Sequence, residues 1–281
     1  KEFVHVYTEN IVLFPASHFV PVSLVGVVGS DFSREEMDIL QSRGIDVAGL
    51  TISSEKTFTW QGEYKADDIN EAITINTCLN AFEHFVPEIP KHYYESEYVF
   101  LANIDPDLQL AVLSQLGTNR CIVSDTMNLW INTKRDSLIE LLQLVDIFIV
   151  NEKEAKELTG EQTLLPLLEK LVSFGPKRVI VKKGEHGCVY YSKGDFFFVP
   201  GYPLTTLKDP TGAGDSFAGG FLGYIAQNGR TDDESTIKRA VVYGSVMASF
   251  ALEEFSVARL LSISEKDIDT RFKKFIELSQ I

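Results

Sequence analysis

Apolar runs of strand length alternate along this chain with stretches in which apolar residues recur every three or four positions. The runs fall at residues 22–28, 98–104, 121–125, 146–150 and 178–182, and the helical stretches at 33–43, 107–116, 136–144, 152–158 and 164–174. Strand and helix in alternation predict parallel strands joined by crossover helices. Because the strands are apolar at nearly every position, both sheet faces must be covered. The expected fold is therefore α/β, a doubly wound, mostly parallel sheet with helices on both faces. Two more runs, 187–191 and 195–199, flank Ser192-Lys193-Gly194 and predict a hairpin. Helices at 216–228, 237–251 and 265–279 close the chain. Ser33 and Glu36 form a capping-box signature for the first long helix, and Gly44 stops it.

Residues 48–65 break this rhythm. Leu50-Thr51-Ile52 and the stretch from Thr57 to Tyr64 alternate like exposed antiparallel strands, with no long helix between them. A small β-lid that closes over a substrate is one reading, and an ordinary edge hairpin the other. No linker or internal repeat divides the chain, so residues 1–281 are expected to form one domain.

Composition narrows the partners. The formal net charge of −14 argues against a nucleic-acid groove, which normally shows as a basic patch. The three cysteines are scattered and show no metal-ligand spacing. No signal-peptide pattern opens the sequence and no apolar run reaches membrane-spanning length, so the cytoplasm is the expected compartment.

One stretch carries the chemistry. Asp209-Pro210-Thr211-Gly212-Ala213-Gly214-Asp215 places two acids around a Gly-x-Gly turn and then enters a helix. Glycines let successive N–H groups converge on one point, and the helix adds its own unpaired N–H groups and dipole there. Such a point attracts phosphate. Asp215 repels phosphate, and so makes sense as a base for a nucleophile beside it. Capping and a tight turn explain a Gly-x-Gly-Asp on their own. The full Asp-x-x-Gly-x-Gly-Asp spacing is rarer, expected by chance in roughly one chain in several thousand. The pair Gly219-Gly220, one helical turn on, predicts that the sheet or a nucleotide approaches closely.

At this stretch the chain resembles the ribokinase-like (PfkB-type) carbohydrate kinases. The segments Leu24-Val25-Gly26-Val27-Val28-Gly29-Ser30-Asp31-Phe32, Gly44-Ile45-Asp46-Val47, Asn151-Glu152-Lys153-Glu154 and Val181-Lys182-Lys183-Gly184-Glu185-His186-Gly187 extend the likeness over most of the chain. The resemblance implies an ATP- and Mg²⁺-dependent transfer of the γ-phosphate to a hydroxyl of a small sugar or sugar-like substrate. It makes Asp215 the base and the N–H groups of Gly212, Ala213 and Gly214 an anion hole. Asn151 and Glu154 would organise Mg²⁺ and phosphate, Glu154 through water. Lys182, Gly184, Gly187 and Gly244 would line the nucleotide site, and Asn103, Asp125 and Asn128 the acceptor site. For Lys182 a solvated strand-end charge competes with a phosphate contact; for Gly244, helix packing competes with room for adenine. The resemblance also raises a homodimer formed through the lid.

The sequence departs from the family at its beginning. Members usually open with a strand ending in a substrate-binding Asp, followed by a Gly-Gly-x-x-x-Asn segment. Residues 1–17 here have neither, and no complete first helix fits. A nucleoside kinase, or a nucleotide- or sugar-binding sensor without turnover, therefore stays open beside the sugar kinase.

Overall fold

The computed structural model describes residues 11–65, 68–229 and 233–279. A four-residue turn of helix, α1 (Leu13–Ala16), precedes β1 (Ser23–Val28), α2 (Arg34–Ser42) and β2 (Asp46–Ile52). The capping box forms as the sequence predicts: Ser33 Oγ accepts from the Glu36 N–H at 3.2 Å and the Ser33 N–H donates to Glu36 Oε2 at 2.7 Å. Gly44 leaves the helix with φ +70°.

Leu50-Thr51-Ile52 was expected in the lid and is not there. It lies in β2, parallel to β1 with Val28 opposite Ile52. The crossover helix α2 between them permits parallel pairing, and the alternating exposure that imitates a lid strand belongs to an edge strand with one wet face. The antiparallel hairpin instead comprises β3 (Thr59–Lys65) and β4 (Asp68–Cys78), a two-stranded sheet of its own.

The main sheet follows. Its elements are β5 (Tyr98–Leu101), α3 (Pro106–Leu116), β6 (Cys121–Ser124), α4 (Asn128–Thr133), α5 (Arg135–Leu142), β7 (Ile147–Asn151), α6 (Glu152–Thr159), α7 (Leu164–Ser173), β8 (Arg178–Lys182), β9 (Cys188–Ser192) and β10 (Asp195–Val199). Strand order is β10-β9-β8-β7-β6-β5, parallel from β5 to β8 and antiparallel beyond. The chain ends in α8 (Ala213–Asn228), α9 (Glu234–Ala251), α10 (Ala258–Ser262) and α11 (Glu265–Ser279).

Residues of β7 show why both faces are dry. Ile147 and Ile149 point into a core shared with α8, α9 and α11, while Phe148 and Val150 point into a second core with α5, α6 and α7. Period-two alternation of apolar residues on both faces makes the sheet doubly wound, as expected. Between β1 and β5 runs an apolar slot of about 500 Å³, walled by Val25, Val27, Val99 and Phe100 and by Leu222 of α8.

Helix α8 is held unusually close by its neighbours. A Cβ on Gly219 would stand 2.1 Å from the Val12 carbonyl oxygen, and one on Gly220 2.5 Å from Met247 Cγ. The close approach that Gly219-Gly220 predicts therefore comes from the chain entering α1 and from α9, not from the sheet or a nucleotide.

Candidate active site

The carboxyl ends of β6, β7 and β8 bring Asp125, Asn151 and Lys182 toward the amino end of α8, where an open α/β sheet places ligands. A cleft of about 1350 Å³ lies there. Asn151, Glu154, Lys182, Gly184, Gly187 and Asp215 line it, as do Gly212, Ala213 and Gly214. The chemistry-bearing residues of distant segments thus share one cavity.

The turn before α8 is built by its own sequence. Asp209 is buried and its Oδ1 accepts from the Thr211 N–H at 2.9 Å, which closes the turn. Gly212 takes φ +76°, the left-handed region, and a Cβ there would meet Ile11 Cδ1 at 2.4 Å. The Ala213 N–H turns back to the Pro210 carbonyl at 3.4 Å, so this member of the expected anion hole has a partner of its own. The helical N–H groups start their regular pattern only at Ser216, which donates to Gly212 O at 2.8 Å. The first-turn N–H groups of Gly214 and Asp215 therefore lack an intrahelical acceptor.

Asp215 occupies the first turn of α8 and faces the cleft. Burial of its carboxyl raises the pKa to about 6, a rise that the nearby Lys182 ammonium opposes. A carboxyl poised there accepts and returns protons near neutrality.

Asn151 and Glu154 form a reciprocal cap of α6. Asn151 Oδ1 accepts from the Glu154 N–H at 2.8 Å, and the Asn151 N–H donates to Glu154 Oε2 at 3.0 Å. The spacing of the pair thus has a structural cause besides any role in catalysis. Glu154 is not the exposed helix acid that a strand-end turn alone would leave: burial, partly offset by Lys182, pushes its pKa up. Among the described residues no three Asp, Glu, His or Cys side chains gather as a metal cage. That donor set fits Mg²⁺, which is characteristically held by one or two carboxylates, waters and substrate phosphates. Glu154 is a desolvated carboxylate on the wall of the cleft.

The nucleotide-side glycines divide. Gly184 and Gly187 have φ +56° and +85°, and a Cβ on Gly187 would lie 1.9 Å from Val199 O. The loop shape alone requires Gly187. Gly244 sits inside the α8–α9 crossing, where a Cβ would approach Phe217 O to 2.9 Å. It is buried by helix packing, and its neighbour Ser245 is the residue that lines the cleft.

The acceptor-side residues separate as well. Asn103 and Asn128 line the cleft; Asn103 Oδ1 accepts from Trp130 Nε1 at 3.1 Å and Asn128 Oδ1 from the Leu129 N–H at 3.0 Å. Asp125 lies underneath, 5 % exposed, with Oδ1 lacking a hydrogen-bond partner among the described residues. Its burial raises the pKa well above the usual carboxylate range. Sequence reasoning missed the aromatic wall made by Phe58, Phe82, Phe85 and Trp130. They come from three distant stretches, the loop at Phe58, the turn carrying Phe82 and Phe85, and helix α4, so no single period joins them. The Thr211 hydroxyl was missed too; it meets the Tyr64 hydroxyl of the hairpin at 3.4 Å.

Comparison with known proteins agrees with this geometry. The sequence profile of the pfkB family of carbohydrate kinases matches residues 8–263. The chain belongs to that family. It is a phosphotransferase with an alcohol acceptor. The chain is 33 % identical over 206 residues to the cytidine kinase of Thermococcus kodakarensis, covering 72 % of each protein. Its fold matches the nucleoside kinase of Methanocaldococcus jannaschii with a TM-score of 0.76 over 94 % of this chain and 85 % of that one, at 23 % identity. An Escherichia coli structure described as a ribokinase II in complex with ATP and Mg²⁺ aligns with a TM-score of 0.79 over 96 % and 89 %, at 22 % identity. The chain is thus a ribokinase-family kinase of small sugars or nucleosides.

Proposed function

We propose that this kinase transfers the γ-phosphate of ATP to a hydroxyl of a sugar-like acceptor, with Asp215 as the base. The observation that carries the reading is the placement of Asp215: one residue past the Gly212–Gly214 turn, facing the cleft, with its pKa raised to about 6. In this reading the acceptor O–H gives its proton to the Asp215 carboxylate as its oxygen attacks the γ-phosphorus. The new P–O bond forms while the bond to the β-phosphate bridging oxygen breaks, and that electron pair leaves on ADP. The Gly212 and Gly214 N–H groups and the α8 dipole stabilise the equatorial oxygens. Gly184 and Gly187 border the nucleotide, and Asn103 and Asn128 hold acceptor hydroxyls. Glu154 would hold hydrated Mg²⁺, which would supply neutralising charge on the phosphates.

A nucleoside is favoured over a bare sugar by the aromatic wall. Phe58 and Phe82 are half-buried at the cleft, backed by the buried Phe85 and Trp130, and give it an apolar aromatic side that a base covers and a free pentose does not. The cytidine kinase relative supports the same choice. The β3–β4 hairpin serves as a lid over this wall, and the exposed Ile73 and Ile75 of β4 offer a face for a second copy.

The test is phosphate transfer measured across nucleosides and sugars for wild type and Asp215→Asn. Turnover of at least one nucleoside, lost by three or more orders of magnitude in the variant, is expected. Equal rates in the two proteins remove Asp215 as base. Nucleotide binding without turnover of any acceptor supports the sensor instead.

A further inference from the structure

Lys182 is within electrostatic reach of three carboxyls. It ends β8, in register with Asn151 on β7. Asp125 approaches from the end of β6, Glu154 from α6 and Asp215 from α8, and the Lys182 ammonium is the attractive charge felt by each. Yet among the described residues it forms no ion pair within 4.0 Å with any of them. Its neighbour Lys183 is committed to Glu152 at 3.6 Å, as is Lys156 at 3.1 Å. The Lys182 Nζ instead leans on the anion turn, where a Cβ placed on Gly214 would stand 2.6 Å from it.

The ammonium is within electrostatic reach of three acids, forms no ion pair with them among the described residues, and sits beside the first turn of α8, whose N–H groups attract anions. A solvated strand-end lysine would extend into water; this one is half-buried and turned into the turn. We propose that Lys182 serves both sides of the transfer, holding the Asp215 carboxylate charged and proton-accepting while presenting its ammonium to the incoming phosphoryl group beside the Gly214 N–H. It is a positioning residue for the base and an electrostatic contact for the phosphate. The inference rests on the kinase reading, since it assigns Asp215 a proton to take.

Other titratable groups around the pair do not supply this effect. The Tyr64 phenol from β3 and the Cys188 thiol from β9 are both raised by burial, Cys188 to about 12, and so stay neutral in the working range. Asp125 is an acid, and like charge on Asp125 and Asp215 is mutually repulsive. Lys182 is the cation that offsets this repulsion and the burial of both carboxyls.

The experiment uses the full chain with Lys182→Met and Lys182→Arg. Two readouts are taken: Mg-ATP affinity by calorimetry, which needs no turnover, and the acid limb of kcat/KM against pH. Lys182→Met is expected to weaken Mg-ATP binding at least tenfold and to move the acid limb up by about one pH unit or more. Lys182→Arg restores the position of the limb because it restores the charge. Unchanged Mg-ATP affinity in Lys182→Met overturns the phosphate contact, and an unmoved acid limb overturns the hold on Asp215. Failure of the kinase reading looks different: wild type would turn over no acceptor, while the affinity arm would still report on Lys182.

Discussion

Lys182 Nζ and Gly214 occupy what would otherwise be one volume: a Cβ on residue 214 would lie 2.6 Å from the ammonium. The obstructing atom is the tip of a flexible side chain, so Gly214→Ala can be accommodated by swinging the lysine away. Gly214 lies in the first turn of α8, and its φ is outside the left-handed range. Alanine is a better helix former there by about 1 kcal/mol.

The expected outcome for Gly214→Ala is thus a split result. Thermal stability holds or rises slightly, while kcat falls by about two orders of magnitude as the cation leaves the anion turn, in line with the loss of one preorganised electrostatic contact. Melting curves and steady-state rates on the same preparation check it. A variant that melts early and loses rate in proportion would show that the glycine is needed only for folding.

Asp215→Asn tests the base through stability as well as rate. Its folded pKa of about 6 lies above the ordinary 3.8. The fold therefore favours the protonated acid, and stability falls as pH rises from about 4 to about 6, then stays lower. At 1.36 kcal/mol per pKa step, the difference between 3.8 and about 6 is about 3 kcal/mol as an upper figure. Asparagine carries no such penalty. The variant should unfold at higher denaturant than wild type at pH 7, and the gap should close below pH 4. Equal midpoints at both pH values would mean that the carboxyl is not desolvated.

The Asp209–Asp215 turn and the sheet were legible in the sequence for the same reason: each is a local pattern. A Gly-x-Gly-Asp spacing, an apolar run or a capping box is written in neighbouring residues, and Ser33–Glu36 folded as written. The edge strand β2 was misread because a half-wet parallel strand and a lid strand share one period. Strand β4 fell outside the expected lid because the boundary was drawn at residue 65, although Ile73-Thr74-Ile75-Asn76-Thr77 alternates as the mate of β3 should. The aromatic wall and the position of Lys182 depend on which loops meet, and no single stretch of sequence carries that. Asp125 shows the limit most sharply: its place at a strand end was readable, but not that it lies beneath the cleft floor.

Tyr64 and Thr211 connect the hairpin to the turn before α8 through one hydroxyl pair at 3.4 Å. Tyr64→Phe removes that link and keeps the ring. If the hairpin acts as a lid, KM for the acceptor should rise severalfold with kcat changed less, because a link worth about 1 kcal/mol helps closure and not the chemistry. Steady-state kinetics with the acceptor varied at saturating Mg-ATP decide this. A variant with unchanged KM shows that the hairpin closes without the link.

Glu154 has two jobs that one pair of substitutions separates. As the third residue of α6 its carboxylate accepts from the Asn151 N–H at 3.0 Å, and glutamine can accept the same bond. Glu154→Gln should therefore melt close to wild type, whereas Glu154→Ala loses the reciprocal bond and about 1 kcal/mol. Both variants remove the negative charge that would hold hydrated Mg²⁺, so both should need several times more Mg²⁺ to reach half-maximal rate. A Mg²⁺ titration of rate beside a melting curve reads the two jobs independently. If Glu154→Gln keeps the wild-type Mg²⁺ requirement, the acid serves only as a helix cap. If it shifts the requirement at unchanged stability, the carboxylate is the metal-side group, and the Asn151–Glu154 spacing is explained by both the cap and the phosphate chemistry.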